Sequence, residues 1–136
     1  MGKSITIRDE DFFRVFLILW LIGSIISCIL QLFFSSLVAD SSIWVYSDGW
    51  QREIGLWNVG IIFGIVCALF LNSSEINKFL TLILVGISMA LGTNHLISLI
   101  LIQRIELINI FGAIMNYFAV VFGAYSIYIN RKDFFK

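Results

Sequence analysis

Hydrophobic positions in this chain gather into four long runs separated by short polar segments. The first, Phe12 to Ser36, carries one charge near its edge, Arg14, and none beyond it. The others, Ile54 to Leu71, Phe79 to Ile102 and Leu107 to Ile129, contain no formal charge. At a rise of 1.5 Å per residue, about 20 apolar residues cover a hydrocarbon core of roughly 30 Å, so each run can cross a bilayer as an α-helix. The pattern predicts an all-α fold: a four-transmembrane-helix bundle of up-down topology, with helices over 12–36, 54–71, 79–102 and 107–129 in a single domain spanning 1–136. Proline is absent, which removes the commonest cause of kinked or interrupted spans, and straight helices are expected.

Lys3, Arg8 and Arg14 ahead of the first run, with Ala39 behind it, invite comparison with a cleavable leader. The run is about twice as long as a 7–15-residue leader core, and Asp9, Glu10 and Asp11 precede it, so an uncleaved first span is expected. Basic residues set the orientation. Lys3, Arg8, Arg14, Lys78, Arg131, Lys132 and Lys136 fall on one side of a four-span chain, and Arg52 and Arg104 on the other. This places both termini and the Asn72–Lys78 turn in the cytoplasm, and the Leu37–Glu53 loop and the Gln103–Glu106 turn outside. Trp44, Tyr46, Trp50 and Trp57 suit an aromatic belt at the outer interface, with the long loop lying on the membrane surface. The expected location is the cytoplasmic (inner) membrane of a prokaryote, with the lipid bilayer as the main partner.

Composition agrees with this picture and narrows the chemistry. Of 136 residues, 60% are hydrophobic and 13% charged, and the mean hydropathy is +0.96; soluble domains have about 45–50% apolar and about 25% charged residues. The net charge is zero, with no basic surplus outside the termini to hold nucleic acid. Cys28 and Cys67 lie within apolar runs, without CxxC spacing or a histidine nearby, so they are expected to pack and to bind neither metal nor cofactor.

Helices in lipid associate through small residues that let backbones approach and through polar groups that find partners. The second run has Gly60, Gly64 and Ala68 at spacing four; the third has Gly86 and Ala90, with Ser88 and Gly92 beside them. The fourth offers Gly112, Asn116, Ala119, Gly123 and Ser126, and the first Ser24, Ser27, Gln31 and Ser35. Gly60, Gly64, Gly92 and Asn116 are therefore expected at helix contacts. For the Gly60 stripe the contact is expected inside the bundle, with a homodimer or a membrane-complex partner as the alternative.

Polar residues inside spans mark the candidate site, because an unpaired polar group in hydrocarbon costs on the order of several kcal/mol. Counted at 1.5 Å per residue, Asn58 lies about 6 Å, and Asn94 and His95 roughly 10 to 12 Å, below the outer surface. Gln31, Ser35 and Asn109 share this outer third, Asn116 is deeper, and the cytoplasmic halves look almost wholly apolar. Gln51, Arg52 and Glu53 stand at the mouth. Each residue also has a plain structural role open to it: Glu53 at a helix start with a favourable dipole, like Glu75 and Glu106; His95 as a hydrogen-bonded packing residue; Asn58, Asn94 and Asn116 as interhelical links.

Gln51, Glu53, Asn58 and Gly60, followed in the third run by Gly92 and His95, resemble the pattern of a family of small four-helix bacterial and archaeal membrane proteins, in which Gln and Glu open the second helix and Gly-x-x-His closes the third. The resemblance implies the four-helix fold and this choice of residues, and brings no substrate with it. Prolines of that family's last helix are missing here.

The leading expectation is a non-enzymatic bundle whose outer-leaflet pocket, lined by Gln51, Glu53, Asn58, Asn94 and His95, takes a small polar or amphipathic ligand, an ion or a proton. The alternative is a scaffold or accessory subunit of a membrane complex that assembles through its small-residue faces. No serine, cysteine or metal constellation has catalytic spacing, and Glu53 with His95 makes at most one acid/base pair. An apolar inner half offers no polar route for transport.

Overall fold

The computed structural model describes residues 11–43, 46–102 and 106–131. Trp44, Gln103, Arg104 and the terminal basic residues Lys3, Arg8, Lys132 and Lys136 lie outside the described residues. The fold is all-α: α1 (Asp11–Phe33), α2 (Ser35–Asp40), α3 (Asp48–Leu71), α4 (Ser74–Ile102) and α5 (Leu107–Ile129), with no strand among the described residues. Every helix but α2 is long and apolar enough to cross a membrane, the architecture of a multi-pass integral membrane protein. Large apolar side chains cover the outside, Phe70 at 89% exposure and Phe63 at 70% among them. So much exposed apolar surface suits acyl chains, not water.

Polar residues at the helix ends set boundaries that hydropathy does not see. α3 begins at Asp48, well ahead of Ile54. Ser47 caps it, its Oγ accepting from Trp50 N at 3.5 Å and its carbonyl from Gln51 N at 2.9 Å, and Asp48 sits in the positive first turn. α4 begins at Ser74 instead of Phe79, with Ser73 Oγ accepting from Ile76 N at 3.5 Å and Ser73 O from Asn77 N at 3.0 Å. The expected Asn72–Lys78 turn shrinks to Asn72 and Ser73. Asn72 adopts φ 51°, a left-handed cap that asparagine tolerates better than most residues. Its Oδ1 accepts from Arg14 Nη1 at 2.7 Å, tying α1 to the turn.

The expected first helix, 12–36, is divided. Phe34 leaves helical geometry (φ −131°, ψ 36°), yet Phe34 N still donates to Leu30 O and Val38 N to Phe34 O, so the chain resumes as α2. Part of the predicted outer loop is therefore helical, and Val38, Ala39 and Ser42 are buried.

α1 packs most closely on α3, and α4 on α5; α3 and α4 follow each other in sequence but touch at few points. Glycines permit the close approaches: Gly55 of α3 faces Leu32 and Gln31 of α1, Gly123 of α5 faces Val85 and Phe16, and Gly92 of α4 lies where an added Cβ would come 3.1 Å from Asn116 Cβ. Phe16, Leu17, Ile65, Ala68 and Leu84 form the buried core, with Trp20, Ala119 and Phe122 packed around it.

Candidate functional site

The five residues expected to share one pocket are divided: Gln51 and Asn58 face the α1 side of α3, His95 faces α5, and Asn94 and Glu53 are exposed. Asn58 Nδ2 donates to Ser27 Oγ of α1 at 3.1 Å and to Ile54 O of its own helix at 2.9 Å, so it joins α3 to α1. Gln51, 4% exposed, is buried one turn before Gly55, whose open side meets Gln31 and Leu32 of α1. His95 turns the other way, its ring laid on Gly112 of α5. Asn94 is exposed on the outside of α4, and Glu53 is exposed beside the α3–α4 interface. Matching depth did not bring them together because successive helical residues point about 100° apart, as Asn94 and His95 do.

Some buried polar atoms have no hydrogen-bond partner among the described residues: Oε1 of Gln31 and Gln51, and Nδ2 of Asn109. Asn109 is fully buried, and its Oδ1 accepts from Ile43 N at 3.3 Å, which fastens the segment after α2 to the start of α5. Asn116 Nδ2 donates to Gly112 O at 2.7 Å while its Cβ rests near Gly92.

The expectation of an apolar inner half is corrected. Asn77 and Thr81 of α4 are buried, as are Ser126 of α5 and Asn130 at its end. Ser126 Oγ donates to Phe122 O and Asn130 Nδ2 to Ser126 O, each at 2.9 Å, whereas Asn77 Oδ1 and Thr81 Oγ1 have no partner among the described residues. A signal existed: Ser74, Thr81, Ser88 and His95 recur every seventh residue on one face of α4, a spacing that averaged hydropathy conceals. Ser88 Oγ accepts from Trp20 Nε1 at 3.1 Å, and Leu84 of the core stands between Thr81 and Ser88 on that face.

Space for a ligand lies elsewhere, in a groove of about 610 Å³ between α3 and α4. Gly49, Arg52 and Glu53 form its mouth, and Leu56, Trp57, Gly60, Ile61 and Gly64 run down the α3 wall. Leu80, Ile83, Leu84 and Ile87 of α4 line the deeper part. Gly60 and Gly64 were expected to seat another helix of the bundle, but a Cβ added to either would meet nothing within 4 Å. The missing side chains leave a trench because α4 turns its close contacts to α5.

Glu53 loses the helix-start role that its sequence position suggested. The helix begins at Asp48, Ser47 supplies the cap, and Tyr46 donates its hydroxyl proton to Asp48. Glu53 is thus in the second turn, past the region where the dipole acts most strongly. Neither the Arg52 nor the Glu53 side chain has an ion pair or hydrogen bond with the described residues. Two opposite charges thus stand above an apolar trench without a partner among the described residues. Arg52 and Glu53 were expected at a mouth, but the glycine stripe beneath them and the α4 wall were not assigned to a site; the GxxxG directly below an Arg-Glu pair was the available signal.

Cys28 and Cys67 are free thiols, and among the described residues no group of three His, Cys, Asp or Glu side chains is placed to hold a metal ion. No family model, curated protein or solved structure matches the chain.

Proposed function

We propose that this protein is a non-enzymatic membrane binding protein that holds an amphipathic ligand between α3 and α4, its polar part at Arg52 and Glu53 and its apolar part along Gly60 and Gly64. One observation carries the reading: a charged mouth, without a partner among the described residues, continues into an apolar trench whose glycine wall no described helix covers. Unfilled apolar space forfeits dispersion contacts, so in a bilayer the trench gains from a chain-like occupant. The groove lining presents one carboxylate and one guanidinium, with no nucleophile beside a base, which suits binding better than catalysis.

Orientation follows from the basic residues. Arg14, Lys78 and Arg131 lie toward the end of the bundle that carries the chain termini, and Arg52 toward the α2 end, so the mouth opens to the outer leaflet. Gly60→Trp tests the site, because the side chain enters open space. Native mass spectrometry from a mild detergent is expected to show a retained small molecule on the parent protein and none on the variant, with the melting temperature little changed. Equal retention by both, or none by the parent, counts against the reading.

The exposure of Gly60 also favours a second reading, a scaffold in which another copy docks its helix along the glycine wall. In that case the parent is a dimer by native mass and Gly60→Trp a monomer.

A further inference from the structure

We infer that the occupant of the α3–α4 groove is a phospholipid with a zwitterionic, primary-amine headgroup of the phosphoethanolamine class; this rests on the amphiphile reading above. Arg52 and Glu53 are consecutive, line one mouth and have no hydrogen bond or ion pair with the described residues. A guanidinium offers a planar fork of donors that matches two phosphate oxygens, and a carboxylate accepts hydrogen bonds from an ammonium. An anionic headgroup would satisfy Arg52 and face repulsion from Glu53; a cationic amphiphile would do the reverse. A zwitterion answers both charges. A primary ammonium also donates N–H bonds to Glu53, which a quaternary ammonium cannot.

Length points to a lipid of one leaflet. On the α3 wall Gly64 lies 12 positions after Arg52, about 18 Å at 1.5 Å per residue, close to half of a hydrocarbon core of roughly 30 Å. The trench therefore ends near the depth at which an acyl chain of that leaflet ends. Trp50 and Trp57, 56% and 69% exposed, sit beside the mouth where indole rings favour the headgroup level. Gly60 and Gly64 remove the side chains that would otherwise hold an acyl chain away from the helix.

The test offers the purified full-length chain equal amounts of phosphatidylethanolamine, phosphatidylcholine, phosphatidylglycerol and diacylglycerol with identical acyl chains, and counts bound lipid by native mass spectrometry. Phosphatidylethanolamine is expected to exceed each of the others by about tenfold, the scale of one charge-assisted hydrogen bond. Glu53→Gln should erase its advantage over phosphatidylcholine, and Arg52→Gln should reduce its advantage over diacylglycerol, with the double variant erasing it; both side chains are exposed, so the fold is expected to survive either change. Equal binding of all four lipids, abolished by Gly60→Trp, would overturn the headgroup inference and leave the amphiphile reading standing. Failure of the parent to bind any lipid, or binding that Gly60→Trp leaves intact, would overturn both. A doubled mass that Gly60→Trp reduces to one copy, without bound lipid, would assign the groove to a second chain.

Discussion

Gly112 of α5 lies directly beneath the His95 ring of α4, so closely that an added Cβ would come within 2.5 Å of both Cε1 and Nε2. The imidazole is thus part of how these two helices meet. Gly112→Ala is expected to force the ring or the helix aside and destabilise the fold by about 1–3 kcal/mol. Gly60→Ala, where the new methyl meets nothing within 4 Å, is expected to be neutral or stabilising by up to about 1 kcal/mol through helix propensity. Thermal unfolding in detergent compares them; equal losses at both positions would contradict the difference in packing.

Asn58 and Ser27 make a hydrogen bond between α3 and α1 within the spans. Such bonds contribute about 0.6 kcal/mol on average, because the unfolded state in the membrane also finds partners. Asn58→Ala and Ser27→Ala should each lower stability by about that amount, with the double variant little worse than either. A double-mutant cycle measures this, and fully additive losses would show that the pair does not act together.

Thr81 is fully buried, and its hydroxyl has no partner among the described residues. Thr81→Val removes the hydroxyl while keeping the branched shape, and an unsatisfied buried group of this kind costs about 1–3 kcal/mol. A rise in unfolding temperature is expected; a fall would mean that the hydroxyl is satisfied in the membrane, for example by a bound water.

The spans were legible because long uncharged runs have few alternatives in water or lipid, and α5 matches its run from Leu107 to Ile129. Boundaries set by polar atoms were not: Ser47 and Ser73 start α3 and α4 ahead of the apolar residues, and α2 grows from a segment too short to show a period. For the site, depth and the phase of a single helix could be read from the spans, but which neighbouring helix each residue meets could not. Asn58, Asn94 and His95 share the outer third, but the partners they meet depend on which helices pair, and nothing in the runs says that α3 leans on α1 while α4 leans on α5. The unused glycine stripe of α3 is a consequence of that pairing.

Sidedness has its own test. Gly49 is exposed at the groove mouth, with open space around its Cβ position. In a variant whose native Cys28 and Cys67 are replaced by alanine, Gly49→Cys should react with a membrane-impermeant thiol reagent applied to intact cells. Reaction only after the membrane is opened would place the groove mouth on the cytoplasmic side.

Photo-crosslinking tests the central claim most directly. A phosphatidylethanolamine carrying a diazirine on its acyl chain is incorporated into membranes containing the intact protein, and adducts are mapped by peptide sequencing. Adducts concentrated on Leu56–Gly64 of α3 and Leu80–Ile87 of α4, and lost from those peptides in Gly60→Trp, are the predicted result. Adducts spread evenly over every lipid-facing surface, including the exposed Phe111, Phe118 and Val121 of α5, would contradict a lipid held in the groove.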